Sequence, residues 1–180
     1  MNDHELAIDL ARRAGDLLMS IRAGFTGEAG DAALGDLGDR AANELLLEGL
    51  AAARPDDAVL SEESADDPAR LDASRVWIID PLDGTREFRE GRDDWAVHVA
   101  LSVDGRPEVG AVALPSLGVV HRTQPAEAIA PATPGAPRLT VSRTRDVPIT
   151  GPLQGALGAE LIPMGSAGAK AMAKIGRAHV

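Results

Sequence analysis

The chain has 180 residues, 44% hydrophobic and 26% charged, which suits one globular domain, or one domain plus part of another, and excludes a fully disordered chain. Its 28 acidic side chains against 18 basic ones leave a net charge of −10, which excludes a general nucleic-acid surface because backbone binding needs clustered Lys and Arg. With no cysteine, disulfides, thiolate chemistry and Cys-ligated zinc are ruled out, and with aromatics at 2% the core falls to Ala, Leu, Val and Ile.

Along the chain, Leu6, Ala7, Leu10, Ala14, Leu17, Leu18 and Ile21 recur at helical spacing with charged residues opposite, which predicts an amphipathic helix over 3–22. A glycine-rich acidic stretch, 24–38, reads as a loop, and its acidity leaves it open to a role near a metal. A second helix is expected from Asp39, carrying Ala42, Leu45, Leu46 and Leu50, and ending at Arg54-Pro55. Short apolar runs at 58–60 and 76–79 read as buried strands, the first ending in Ser61-Glu62-Glu63 and the second in Asp80-Pro81. Residues 95–103 and 109–114, either side of Asp104-Gly105, read as an antiparallel hairpin, with 119–121 as its continuation.

Residues 124–137 are rich in Pro and Ala and read as a linker. Beyond it come a strand at 138–141, a helical segment, a strand at 160–162 and a helix opening at Ser166 and ending at Gly176. Residues 178–180 resemble the start of another strand. The expected organisation is therefore an N-terminal unit over 1–123, a linker over 124–137, and an incomplete second unit over 138–180. No apolar run approaches the length of a membrane span, and the first ten residues carry no signal-peptide pattern. A cytoplasmic location, with no membrane and no nucleic-acid polymer as partner, is the expectation.

The chemistry concentrates in Asp80-Pro81-Leu82-Asp83-Gly84-Thr85. Pro81 fixes one backbone torsion and Gly84 frees another, so a turn here can aim both carboxylates and the Leu82 carbonyl at one point. Hard oxygen donors of this kind suit Mg²⁺. The same residues could instead form a capped strand-to-helix turn. Glu62 and Glu63 end a neighbouring strand, and a converging set of carboxylates would repel itself unless cations neutralised it. Spacing does not choose between the two glutamates. His98 and His121 read as structural, and Phe88 and Trp95 as core.

The run Trp77-Ile78-Ile79-Asp80-Pro81-Leu82-Asp83-Gly84-Thr85-Arg86-Glu87-Phe88 resembles the signature of the inositol monophosphatase superfamily. Arg86-Glu87-Phe88 and Leu60-Ser61-Glu62-Glu63 resemble its 3′(2′),5′-bisphosphate nucleotidase branch, in the actinobacterial CysQ type, and residues 165–172 fit it as well. The resemblance implies an α/β fold of alternating helix and sheet layers, the sugar-phosphatase fold. It implies two or three Mg²⁺ ions on Glu62, Asp80, the Leu82 carbonyl and Asp83. Thr85, paired with Asp39, would orient the attacking water with Glu62, and the N–H groups of Gly84 and Thr85 would hold the scissile phosphate. Ser166, Lys170 and Arg143 are candidates for the rest of the substrate, although Ser166 also reads as an ordinary N-cap and Arg143 as a surface arginine.

The implied reaction is removal of the 3′-phosphate from 3′-phosphoadenosine 5′-phosphate. The alternatives are inositol-1-phosphate or fructose-1,6-bisphosphate hydrolysis, or an inactive fragment. Inhibition by lithium and a homodimer are further expectations from the resemblance. Two departures stand out. Residues 32–38 lack the hydroxyl and positive charge usual ahead of the residue at Asp39, and offer Asp36 as a third-metal candidate. A later Trp-Asp motif that supplies another metal ligand is also missing, the only tryptophans being Trp77 and Trp95. Weak Mg²⁺ binding and exposed second-unit strand edges are therefore expected of these 180 residues.

Overall fold

A stripe of Leu6, Ala7, Leu10, Ala14 and Leu18 makes α1 (Asp3–Gly24) one-sided, and all five are buried in the computed structural model, which describes residues 1–126 and 135–175. Asn2 and Glu5 close a reciprocal capping box at its start, each side chain accepting the other's backbone N–H at 2.9 Å.

The second helix departs from the sequence expectation. α2 (Ala32–Ala53) begins well before Asp39, capped by Asp31, whose carboxylate accepts from the Ala33 N–H at 2.9 Å. Residues 32–38 of the glycine-rich stretch are therefore helix. A Cβ at Gly35 would lie 2.8 Å from Thr85 Cγ2 and from Arg89 Cδ, and one at Gly38 would lie 3.0 Å from Phe88 Cε1. These glycines let α2 approach the short helix α3 (Thr85–Arg89), so Asp39 projects from within a helix and not from its first residue.

Five strands form the main sheet in the order β1 (Ala58–Ser61), β2 (Arg75–Asp83), β3 (Ala96–Val103), β4 (Arg106–Leu114), β5 (Val119–Arg122). β1 and β2 are parallel, and the remaining pairs are antiparallel. The expected hairpin and its continuation are thus present. β2, however, runs through Asp80-Pro81-Leu82-Asp83 instead of stopping at Asp80. Its register against β3 shifts between Asp80 and Asp83, and the sharp change of direction falls at Gly84, φ +95°.

One face of the sheet packs on α1 and α2 through Trp77, Ile79, Val97, Val99, Leu101, Val109, Ala111 and Ala113. Phe88 and Trp95 are fully buried, edge to face at 5.1 Å, with the Arg22 guanidinium over both rings and donating to the Arg92 carbonyl at 2.7 Å. At the end of the sheet away from Asp80, Arg75 and Arg54 share Asp3, and Asp57 accepts from both Arg75 and Trp77 Nε1, tying helix ends to the start of β2.

A second, smaller sheet pairs β6 (Arg138–Ser142) in parallel with β7 (Glu160–Met164), with α4 (Thr150–Leu157) as the crossover. α5 (Ala167–Ile175) follows, and Ala169 packs on the other face of the main sheet against Ala96 and Leu114. α4 has no buried residue, and Leu153 and Leu157 are 42% and 49% exposed. The middle of the expected linker and the expected strand at 178–180 lie outside the described residues. No helix among the described residues is long and apolar enough to cross a membrane.

Candidate metal centre

β1 ends at Ser61, opposite Ile79 of the parallel strand β2, which brings the Glu62-Glu63 turn next to Asp80. Asp80 is also the register partner of His98 on β3, so their side chains share one face of the sheet, opposite Trp77 and Ile79. The ligand atoms of Asp80, Asp83 and His98 all lie within 4.8 Å of one another. His98 is the residue that sequence reasoning assigned to the scaffold. The available signal was its parity, since it alternates with the core residues Val97 and Val99 and so faces away from the core.

Charge crowds this corner. Asp80 is pushed up from 3.8 to about 7, first by burial, then by the Glu62 and Asp83 carboxylates, while His98 works the other way. Asp39 is also pushed up to about 7, by burial and then by Glu63 and Glu62, against a hydrogen bond from the Thr85 hydroxyl. Asp83 behaves differently. Burial presses it upward, but bonds from His98 at 3.1 Å and from the N–H groups of Gly168 at 2.5 Å and Ala167 at 3.2 Å outweigh burial and lower its pKa. The start of α5 is thereby seated on a carboxylate of β2.

The donors fit a divalent cation. Three ligand atoms within 4.8 Å can share one ion at ligand distances of roughly 2.0–2.6 Å. Asp39 and Asp80 are raised first by burial and then by nearby carboxylates, and a cation relieves the second of these. The Leu82 carbonyl accepts from Thr85 Oγ1 at 3.2 Å, so that hydroxyl has both Leu82 and Asp39 within reach but only one proton to give.

The other expected residues divide into two groups. Ser166 is 3% exposed and packs against Gly84, where a Cβ would come within 2.9 Å of it. It accepts from the Ala169 N–H at 2.8 Å as an N-cap, and its own N–H donates to the Asp94 carbonyl at 3.1 Å. Arg143 and Lys170 are held by protein groups. Arg143 Nη2 contacts Glu87 at 2.7 Å and Glu90 at 2.8 Å, and Lys170 Nζ donates to the Met164 and Gly165 carbonyls. Asp36 is exposed and adds to the repulsion on Asp39.

The model of the inositol monophosphatase family matches residues 2–146. The 3′-phosphoadenosine 5′-phosphate phosphatase of Mycobacterium leprae is 52% identical over 188 residues, covering 97% of this chain and 69% of the relative. That of Mycobacterium tuberculosis is 54% identical over 171 residues, covering 90% and 64%. The chain therefore spans about two thirds of the length of these curated relatives. Among solved structures, CysQ from Bacteroides thetaiotaomicron superposes with a TM-score of 0.74 at 24% identity, covering 91% of this chain and 72% of that one, which is a likeness of fold.

Proposed function

The chain belongs to the inositol monophosphatase family, and from that membership we propose that it is a Mg²⁺-dependent phosphomonoesterase that releases the 3′-phosphate of 3′-phosphoadenosine 5′-phosphate. The observation that carries the reading is the convergence of Asp80, Asp83 and His98 just past the end of β1, with Glu62 beside Asp80 and Asp39 facing Thr85. Identity above half to two phosphatases named for that nucleotide supports the substrate.

In this reading Glu62, Asp80, Asp83 and the Leu82 carbonyl would hold the cations. Bound Mg²⁺ supplies acidification of water and charge neutralisation at the phosphoryl oxygens. Thr85 Oγ1 accepts a hydrogen bond from the attacking water once its own proton is turned to Asp39. Asp39 accepts from the Thr85 hydroxyl and so keeps that proton turned away from the water. The N–H groups of Gly84 and Thr85 orient the scissile phosphate, and Ser166, packed on Gly84, borders the same space. Arg143 and Lys170 reach substrate only by leaving their present acceptors. Residues 1–123 form the metal-binding unit, and residues from 138 onward belong to the unit that faces it.

Phosphate release from 3′-phosphoadenosine 5′-phosphate, inositol 1-phosphate and fructose 1,6-bisphosphate, each with and without Mg²⁺, tests the reading. The nucleotide is expected to be hydrolysed fastest, and only with Mg²⁺. Faster release from either sugar phosphate would overturn the substrate, and release that survives chelation would overturn the mechanism.

A further inference from the structure

α2 carries Asp39 and Asn43 one helical turn apart, so both project to the same side. Asp39 faces the carboxylate cluster, whereas Asn43 faces the turn that leaves β1. Ser61, 5% exposed, donates its hydroxyl to Asn43 Oδ1 at 2.7 Å. Asn43 Nδ2 in turn donates to Ser64 Oγ at 3.1 Å. The Glu63 N–H donates to Ser61 Oγ at 3.2 Å, the Ser64 N–H to the Ser61 carbonyl at 3.4 Å, and the Glu62 N–H to the Ile79 carbonyl on β2 at 3.3 Å.

One amide therefore grips both ends of a turn whose central residues are Glu62 and Glu63. Those two side chains are exposed, so the backbone of the turn sets where each of them starts. α2 itself is fixed by Ala42, Leu46 and Leu50, which are buried in the core. The side-chain hydrogen bonds that tie this turn to α2 run through Asn43. We propose that Asn43 is a positioning residue: through Ser61 and Ser64 it holds the Glu62-Glu63 turn against the face of α2 that carries Asp39, and so sets the metal affinity of the cluster. This rests on the reading of Glu62 as a cation ligand given above.

A merely structural amide would affect stability and leave cation affinity alone. The test is Mn²⁺ binding to the whole chain, followed by loss of the free-ion electron paramagnetic resonance signal, with melting of the metal-free protein measured alongside. Asn43→Ala is expected to weaken Mn²⁺ binding ~10-fold, the usual scale for losing a group that orients a ligand. In a Glu62→Gln background the same change should add nothing, because Asn43 acts through Glu62. Wild-type affinity in Asn43→Ala, or an equal further loss in the double variant, would overturn the proposal. Ser64→Ala removes one arm only and covers the case in which Asn43→Ala does not fold. It should weaken binding in the same direction by a smaller factor, and unchanged affinity would refute the proposal. If Glu62→Gln itself leaves Mn²⁺ binding untouched, the ligand reading fails and the proposal with it. If Glu62→Gln weakens binding while Asn43→Ala does not, only the role of Asn43 is lost.

Discussion

Asp39 and Asp80 each bind a proton more tightly in the folded chain than their ordinary 3.8 would allow, with folded values of about 7. Protons therefore favour folding at these two sites, and that contribution is full below 3.8 and lost as the pH climbs to about 7. Asp3, Asp57, Asp83 and Asp94 are shifted the other way, so their contribution is present above 3.8 and lost as the pH falls through their lowered values. In chelator, the protein should unfold at lower urea at about pH 8 than at about pH 5, and Mg²⁺ should remove most of that difference. Replacing Asp80 with Asn takes away a charge buried among like charges. The metal-free melting temperature at about pH 8 should then rise by ~2–4 °C, as about 1 kcal/mol does in a chain of this size, and the increment from Mg²⁺ should disappear. A lower metal-free melting temperature in Asp80→Asn would contradict this account of the cluster.

At the scale of elements, the junction of α2 with α3 depends on glycine inside a helix. Replacing an interior glycine by alanine ordinarily gains ~1 kcal/mol of helix propensity. At Gly35 the added methyl would meet Thr85 Cγ2 and Arg89 Cδ at 2.8 Å, and overpacking costs ~1–3 kcal/mol. The arginine can swing away, but the threonine methyl is short and sits at the first residue of α3. The cost should therefore win. Gly35→Ala is expected to lower the denaturation midpoint, whereas Gly24→Ala at the exposed end of α1, with nothing within 4 Å, should not. Because α3 carries Thr85, the Gly35 variant should also slow the proposed hydrolysis of the nucleotide. An unchanged midpoint would mean that α3 yields freely.

Across the whole molecule, burial is uneven. The five-stranded sheet with α1 and α2 holds nearly all of the large buried side chains, while α4 has none and every residue of β6 is only partly buried. The second sheet meets the first through the seat of α5 on Asp83 and through Asp94, which accepts from the Gly165 N–H at 2.6 Å and is held by Arg92 at 2.7 Å. A cavity of about 660 Å³ lies beside this contact, walled by Leu114, Leu117, Val119, Ile162, Met164 and Met172. Few apolar contacts imply low local stability. Amides of α4, β6 and β7 should exchange with solvent well before those of β2 and β3, and comparable protection in both regions would show a single cooperative unit.

What could be read from sequence was local. The stripe that makes α1, the hairpin and its continuation, and the closeness of Asp80 to Asp83 follow from periodicity and from one short motif. These patterns depend on near neighbours along the chain, where side-chain spacing and turn chemistry act directly. Tertiary contact decided the rest. Gly35 and Gly38 look like loop residues until α3 packs against them, and so the start of α2 was misread. His98 joins Asp80 only through strand register, and Asn43 meets Ser61 and Ser64 only once α2 lies over the end of β1. Arg143 and Lys170 look available in sequence but find protein acceptors in the fold. Each of these pairings joins separate elements, and its partner is set by packing geometry that no local pattern encodes.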